Sequence, residues 1–270
     1  MSALTFSMKQ RLDQRVDMSP LVCHKLQGLA LDDIKAIALQ YGRNTIPAGE
    51  LFNIKGSDTQ NIVIEGSFNK LDFIGKGLES GTLAVHGDVG AYAGQQMRSG
   101  TLKINGNAGL YAGCEMQGGL LEIAGNAGDF VGGALPGNKQ GMKGGTVLIK
   151  GNAGERVGDH MRRGQILIEG NAGDYCGSRM IAGTIAVMGQ TGRFPGYAMR
   201  RGTLLLWNPP QLSASFNDCG AHTLSFLPLL FNSFKAYSSK FADEAVRFNR
   251  VQRYGGDMAE MGRGEILVRL

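Results

Sequence analysis

The chain has 270 residues and a formal net charge of +5, and it contains 42 glycines but only 7 prolines. With 43% hydrophobic residues it can bury a core without disulfides, which excludes a collagen and a disordered Gly/Pro-rich linker. There is no run of about 20 apolar residues and no signal peptide at the N-terminus, which excludes a membrane span and predicts a cytoplasmic protein.

The N-terminal segment, residues 1–65, is expected to cap the structure. Leu29–Gly42 predicts one helix, because Asp32 and Asp33 favour a first turn and apolar residues recur at helical spacing. Gly42 suits the position after the last turn. Such a cap would cover the strand edges that the first coil of a repeat structure leaves open.

A repeat of 19 residues occupies residues 66–207 and accounts for much of the glycine. Each regular unit has glycine at positions 1, 4, 8 and 14, methionine at position 11 and apolar residues at positions 16 and 18. The third unit carries seven extra residues within Gly133–Gly141, and a looser copy begins at Gly66. The six regular units begin at Gly87, Gly106, Gly125, Gly151, Gly170 and Gly189.

This pattern predicts a mainly β protein, a right-handed parallel β-helix of about 19 residues per coil with short helical caps at both ends. A unit of this length is too short for a helix pair, and glycine disfavours helix interiors. It suffices for three short strands joined by tight turns in which glycine supplies a positive φ. Equivalent positions then stack about 4.8 Å apart, and parallel crossovers are generally right-handed.

The columns of the repeat predict which side chains face inward. Positions 16 and 18 are expected to form the buried face of a strand, and the methionine column is expected to pack inside. Position 7 is small or apolar and is also predicted to face inward. Position 6 is aromatic except at Arg156, so we expect it to face outward as an aromatic ladder that a partner covers.

The C-terminal segment, residues 208–270, is expected to be a second cap and a docking element. Pro209 and Pro210 end the repeats, and a helix is predicted around Phe241–Arg253. The last seven residues, GEILVRL, predict a final strand. The chain therefore divides into three parts, residues 1–65, 66–207 and 208–270.

No catalytic or metal-ligating motif is apparent in the sequence. The four cysteines form no CxxC pair, and the four histidines have no metal-ligand spacing. The recurring GNAG is a turn rather than a dinucleotide-binding loop, and no stacking aromatics are interleaved with basic residues as nucleic-acid binding requires. We expect no catalytic residue, no bound metal and no nucleic-acid partner.

Basic residues at positions 12 and 13 of the repeat form the one candidate binding feature, which we call the basic stripe. Stacked coils would align them at roughly 4.8 Å per coil, so that they could follow a chain of carboxylates or phosphates. A solvated edge that aids solubility is the alternative. The basic stripe comprises Arg98, Lys143, Arg162, Arg163, Arg200 and Arg201.

The GNAG turns followed by MxxGTLxI resemble the C subunit of formylmethanofuran dehydrogenase and the GXGXG domain of glutamate synthase. The opening helix, Ala48–Gly56 (AGELFNIKG) and the chain length resemble that C subunit, above all the one in the formyltransferase/hydrolase complex of aerobic methylotrophs. The resemblance implies a noncatalytic structural subunit in a hetero-oligomer. Its partners would be an amidohydrolase-like A subunit, a B subunit and a formyltransferase D subunit.

The same resemblance implies a reaction for the whole complex. A formyl group passes from formyl-tetrahydromethanopterin to a methanofuran-type carrier and is then hydrolysed to formate. In the bacterial branch the carrier is methylofuran, which the complex would hold and whose polyglutamate tail is a candidate ligand for the basic stripe. Three alternatives stay open: the C subunit of a tungsten or molybdenum formylmethanofuran dehydrogenase, a glutamate-synthase-type domain, and a standalone solenoid that binds acidic polymers.

Overall fold

The computed structural model describes residues 2–270 of the chain, and Met1 lies outside them. The fold is mainly β, with one 13-stranded sheet and a second sheet of four strands. The prediction of a mainly β protein is therefore confirmed. The repeats form the middle of the large sheet, and segments from both ends of the chain extend it.

Strands lie in all three of the predicted parts of the sequence, and the strand Asp58–Ser67 crosses the boundary predicted after residue 65. The N-terminal part contains β1 (Ala3–Met8), β2 (Val16–Asp17), α1 (Cys23–Leu26), α2 (Leu31–Ala36), β3 (Ala38–Tyr41), β4 (Asn44–Pro47), α3 (Ala48–Leu51), β5 (Phe52–Lys55) and β6 (Asp58–Ser67). The repeat region contains β7 (Leu71–Asp72), β8 (Thr82–Gly87), β9 (Thr101–Ile104), β10 (Leu120–Ile123), β11 (Lys143–Ile149), β12 (Arg163–Ile168), β13 (Thr184–Val187) and β14 (Arg201–Leu206). The C-terminal part contains β15 (Asn217–Thr223), α4 (Leu227–Phe234), 3-10 turns at Lys240–Ala242 and Glu244–Val246, β16 (Arg250–Gly256) and β17 (Arg263–Arg269).

Equivalent strands of successive repeats lie side by side in the large sheet. Strands β8 to β14 are parallel throughout, and Leu121 pairs with Leu102 on one side and with Val147 on the other. A second column of bridges joins the residues at position 3, as between Ala108 and Ala127. Both columns recur once per unit, so each unit lies on the previous one in the register that the sequence period predicts.

The interior of this stack consists of the columns that the sequence places inside. The methionine at position 11 is fully buried in all six regular units, and the apolar residues at positions 7, 16 and 18 are buried as well. The methionines also reach the next coil, since a Cβ on Gly119 would lie 2.7 Å from the Cε of Met97. The predicted inward orientation of these columns is confirmed.

The glycine columns have two different physical causes, of which the sequence analysis predicted one. At positions 8 and 14 the backbone has a positive φ, as at Gly113 (65°) and Gly119 (80°). At positions 1 and 4 the backbones of neighbouring coils approach each other closely. A Cβ on Gly151 would lie 2.6 Å from the carbonyl oxygen of Gly125, so coil stacking leaves no room for a side chain there.

The helix predicted over Leu29–Gly42 is wrong in its second half. Helix α2 ends at Ala36, and the chain then enters the β3–β4 hairpin, in which Leu39 is fully buried. Gly42 has a φ of 59° in the turn of this hairpin and does not end a helix. Burial of Leu39 in the N-terminal core outweighs the helical spacing of the segment.

The helix predicted around Phe241–Arg253 is also wrong. Two 3-10 turns lead into β16, which pairs antiparallel with β17 and buries Val251 completely. Strand β16 satisfies the backbone groups that β17 would otherwise leave open at the end of the repeat stack. The helix of this part, α4, lies earlier in the sequence, in the apolar stretch that ends at Phe234.

The predicted C-terminal strand is confirmed, and it continues the repeat. Strand β17 pairs in parallel with β14, with Gly264 opposite Gly202. Its sequence RGEILV corresponds to RGTLLL in β14, so this strand comes from a segment 62 residues further along the chain. At the opposite end, β6, β1 and β5 extend the same sheet, which therefore runs through all three parts of the chain.

The C-terminal segment covers the outer face of the sheet over its second half. Position 17 faces outward, and Lys103 and Glu122 occupy it in the first units, where they form an ion pair at 3.6 Å. In the later units this position is apolar and buried beneath Phe231, Phe234 and Phe241. The buried residues at position 17 are Leu148, Leu167, Ala186, Leu205 and Leu267.

The close approach of neighbouring coils predicts the effect of a single methyl group. Gly151→Ala should lower the free energy of unfolding by roughly 1–3 kcal/mol, because the new Cβ forces two coils apart. The control is Gly77→Ala, since Gly77 has a φ of 65° but no atom near a new Cβ, and only backbone strain of about 1 kcal/mol should follow. Urea unfolding of both variants measures the difference. Equal losses would show that stacking does not determine the glycine at position 1.

Candidate binding surface

The basic stripe is exposed along one side of the stack. All six of its residues are exposed, and those at position 12 follow each other from coil to coil. The amide of Lys143 donates to Met116 at 2.7 Å, and that of Arg162 donates to Met142 at 2.8 Å. The column is interrupted at Gln117 and Ile181, so the structure brings the stripe residues onto one face but not into an unbroken row.

Two members of the basic stripe have ion-pair partners among residues 2–270. Arg98 pairs with Glu79, and Arg200 lies 3.5 Å from Glu260. The other four have no carboxylate within ion-pair distance in the described part of the chain. Their positive charge is therefore not engaged in an ion pair among residues 2–270 and is accessible to an anionic ligand.

A groove of about 700 Å³ lies beside the last coils and shares Arg200 with the basic stripe. Lys139, His160, Arg179, Tyr197 and Glu260 also line it. Burial lowers the pKa of His160, and the nearby Arg179 and Arg200 lower it further against the opposing effect of Asp159. The sequence did not predict that Lys139, His160 and Arg179 line a groove, because these residues belong to different coils and come together only when the coils stack.

The seven-residue insertion lies against this face and is anchored by Glu115. The Glu115 carboxylate accepts hydrogen bonds from the Leu135 amide at 3.3 Å and from the Asn138 side chain, and Gln96 donates to it at 2.9 Å. Burial alone would raise the pKa of Glu115, but these hydrogen bonds hold it below its ordinary value. The anchored carboxylate fixes the loop so that Lys139 forms one wall of the groove.

An ion pair between the buried Asp159 and the partly exposed Arg179 fixes another part of the groove lining. Asp159 is 3% exposed, and it accepts hydrogen bonds from the Ser178 hydroxyl at 2.7 Å and from the Arg179 Nε at 2.9 Å. A buried carboxylate is stable only with such partners. The guanidinium of Arg179 is therefore held in place where it lines the groove.

The residues at position 6 face outward and form the predicted aromatic ladder. Tyr92 and Tyr111 stack at a centroid distance of 5.3 Å, and Tyr111 and Phe130 stack at 4.8 Å. Arg156, the exception in the column, places its guanidinium 4.6 Å from the centre of the Tyr175 ring and so extends the ladder. Every residue at position 6 has a positive φ, from 56° to 64°. Ring stacking and the backbone of the coil maintain this strained conformation.

Three of the four thiols are buried: Cys23 in α1, and Cys114 and Cys176 in the repeats. Burial raises the pKa of Cys23 to about 11, and it raises the pKa of Cys114 and of Cys176 to about 12. These thiols are protonated at neutral pH and do not act as nucleophiles. Cys219 in β15 is exposed.

Residues 2–270 contain neither a metal-binding cluster nor a membrane-spanning helix. No group of three or more His, Cys, Asp or Glu side chains in this range is placed to hold a metal ion. None of the helices in the described chain is long and apolar enough to cross a membrane.

The GXGXG motif family model matches residues 72–219, which is more than half of the chain. This chain belongs to the GXGXG family. The match covers the stacked repeats together with the basic stripe and the aromatic ladder.

One chain of a solved structure matches nearly the whole chain. That structure is the formyltransferase/hydrolase complex (FhcABCD) from Methylorubrum extorquens in complex with methylofuran. The match has a TM-score of 0.92 and 41% identity, and it covers 98% of this chain and 99% of that chain. The matched segment therefore includes both terminal parts as well as the repeats.

Curated relatives match over a shorter stretch. The Fhc C subunit of Methylorubrum extorquens is 40% identical over 86 residues, which is 32% of this chain and 32% of that protein. The C subunit of the tungsten-containing formylmethanofuran dehydrogenase 2 of Methanococcus maripaludis is 32% identical over 94 residues, or 34% of this chain and 35% of that protein. These alignments span about a third of the relatives' length. Over this stretch the chain is similar to the C subunits of both kinds of complex.

The extension of the aromatic ladder by Arg156 predicts how this position tolerates change. Arg156→Tyr should preserve stability, because a ring can replace the guanidinium next to Tyr175. Arg156→Ala should lower the free energy of unfolding by about 1 kcal/mol, since it removes the cation–π contact and keeps the strained φ. Urea denaturation compares the two variants, and an equal loss in both would contradict the ladder.

The raised pKa values of the buried thiols predict selective labelling. Between pH 7 and pH 8.5 iodoacetamide should modify only Cys219, because the other three thiols stay protonated and enclosed until the pH approaches their raised pKa values. In urea all four should react. Mass spectrometry of the labelled chain counts the modified residues, and rapid labelling of Cys114 or Cys176 in the native protein would contradict this picture.

Proposed function

We propose that this chain is the noncatalytic structural C subunit of a formyltransferase/hydrolase complex. The complex transfers a formyl group from formyl-tetrahydromethanopterin to a methanofuran-type carrier and hydrolyses it to formate. The observation that carries the proposal is the likeness to a chain of the Methylorubrum extorquens complex, which extends over 98% of this chain and 99% of that chain. Alignment along both whole chains favours the same role in the same kind of assembly.

The charged groups of the interior support a structural role. Asp72 is held by Arg15 at 2.6 Å, and Asp159 is held by Arg179 and Ser178. The buried thiols are protonated. Because the carboxylates are engaged by partners in their own chain and the thiols are buried, these groups stabilise the structure rather than meet a substrate.

The finer architecture belongs to the same proposal. We interpret the stacked units as a right-handed parallel β-helix over residues 66–207, with caps formed by residues 1–65 and 208–270. The parallel register from β8 to β14 supports this, because parallel strands require crossovers in one direction. The partners are an amidohydrolase-like A subunit, a B subunit and a formyltransferase D subunit, in the cytoplasm.

The basic stripe provides the contact of this subunit with the carrier. A methylofuran carrier has a polyglutamate tail, and the exposed guanidinium groups of Arg162, Arg163 and Arg201 have no ion-pair partner among the described residues. Arginine binds carboxylates through two parallel hydrogen bonds. The stripe can hold the tail while the catalytic groups of the other subunits react with the formyl end.

Purification from the native source tests the proposed function. The tagged chain should co-purify with a formyltransferase and an amidohydrolase-like protein, and native mass spectrometry should give one mass for the assembly. Pterin-bound tungsten or molybdenum in the B subunit would instead identify a formylmethanofuran dehydrogenase. A chain that purifies alone would contradict both assignments.

Substitution of the basic stripe tests its role. The fourfold Arg→Gln variant at positions 162, 163, 200 and 201 should retain the carrier about tenfold less well, if each exposed pair contributes roughly 0.4 kcal/mol. The control changes Arg11, Arg43, Lys55 and Lys150 to Gln, which alters the net charge equally at exposed sites outside the stripe. Carrier content of the purified complex is measured by mass spectrometry. Full retention in the stripe variant would make the stripe an ordinary solvated edge.

A further inference from the structure

Helix α4 has an apolar face that the chain itself does not cover. Its inner side, with Leu227, Phe231 and Phe234, is fully buried against the outer face of the large sheet. On the outer side Leu229 is 72% exposed and Phe226 is 41% exposed. The 12 residues from Thr223 to Phe234 contain no Asp, Glu, Lys or Arg, so no charged side chain of the segment helps to solvate this surface.

A pocket of about 320 Å³ opens beside this face of α4. The rings of Phe231 and Phe248 lie 5.2 Å apart and form its floor. The side chains of Asn232 and Asn249 lie at its rim, and neither donates or accepts a hydrogen bond within the described chain. An aromatic floor with unengaged amide groups at the rim suits an apolar side chain whose backbone or neighbouring group is polar.

Arg247 adds a positive charge to the pocket. Its Nη2 donates to the Ala242 carbonyl at 3.1 Å, its Nη1 lies 3.3 Å from Glu244, and its buried Nε has no partner among the described residues. Glu244 is itself exposed, so this pair contributes little. A carboxylate brought in by a partner can therefore replace Glu244 at the guanidinium.

Arg247 is the charged residue that lines the pocket. Three other basic side chains of residues 222–256 have carboxylate partners: Lys235 lies 3.4 Å from Glu244, Lys240 lies 3.9 Å from Glu169, and Arg253 lies 3.2 Å from Glu265. The charge of Arg247 therefore favours a partner polypeptide that carries an acidic residue beside an apolar one.

We propose that the outer face of α4 and the Arg247 pocket form a docking site for another subunit of the complex. The partner places an apolar side chain against Phe248 in the pocket, covers Leu229, and places a neighbouring Asp or Glu at Arg247. A small ligand would fill only the pocket, whereas the apolar surface continues along α4 to Phe226. This inference rests on the proposed function, because it assigns the partner to the same hetero-oligomer.

Co-expression of this chain with the other subunits of the complex tests the docking site. Leu229→Asp and Asn232→Glu alter exposed residues and should leave the thermal unfolding temperature of the isolated chain unchanged. Each should reduce partner retention in size-exclusion chromatography by about tenfold or more, as expected for a charge at the centre of an interface. The control is Leu29→Asp, which changes a residue of 41% exposure in the N-terminal segment and should assemble normally.

The outcomes separate this inference from the proposed function. If the unaltered chain does not assemble with those subunits, the proposed function is wrong. If it assembles and the two α4 variants assemble equally well, only the docking site is wrong. Concentration-dependent dimers of the isolated chain that Leu229→Asp abolishes would identify a second copy as the occupant, which also overturns the proposal.

Discussion

Each coil of this protein lies on its neighbour at the distance set by backbone hydrogen bonds between parallel strands, about 4.8 Å. This spacing leaves no room for side chains where backbones meet, so Gly106 and Gly151 are glycine without having a positive φ. It also brings equivalent side chains into contact, which is why methionines fill one interior column and aromatic rings stack in an outer one. The interior packing and the outer ladder both depend on it.

Because the coils stack at this spacing, each column of the sequence repeat forms its own surface on the protein. Positions 12 and 13 give the basic stripe, position 6 gives the aromatic ladder, and position 17 gives the outer face of the sheet. The chain covers only part of this area itself, since the C-terminal segment lies over the later repeats. The insertion anchored by Glu115 narrows the basic side into a groove next to Arg200. A scaffold with several different uncovered faces suits a protein that contacts several partners.

The sequence predicted the parts of the fold that repeat. Leu102 and Leu121 pair as their shared position requires, and Met97 and Met116 are buried as their column predicts. Prediction failed for segments that are not part of the repeat. In these segments, burial in the tertiary structure determines whether the chain forms a helix or a strand. Leu39 and Val251 lie in strands because each becomes buried next to a chain segment distant in sequence.

The sequence likewise predicted only some of the residues of the candidate site. The exposed arginines of the stripe follow from the repeat, but Lys139 reaches the groove from the insertion and His160 reaches it from another coil. The Arg247 pocket is formed by α4 together with the chain that precedes β16. One missed signal was readable: position 17 changes from Lys103 and Glu122 to Leu148 and Leu167, which marks where the C-terminal segment covers the sheet.

The central claim is that this chain organises an enzyme complex without performing its chemistry. The most direct measurement is formyl transfer and formyl hydrolysis by the complex assembled with and without this chain. We expect that the isolated chain has no activity and that its omission lowers the coupled reaction, while each catalytic subunit still acts on added formylated carrier. Turnover by the isolated chain, or an undiminished coupled rate without it, would contradict the claim.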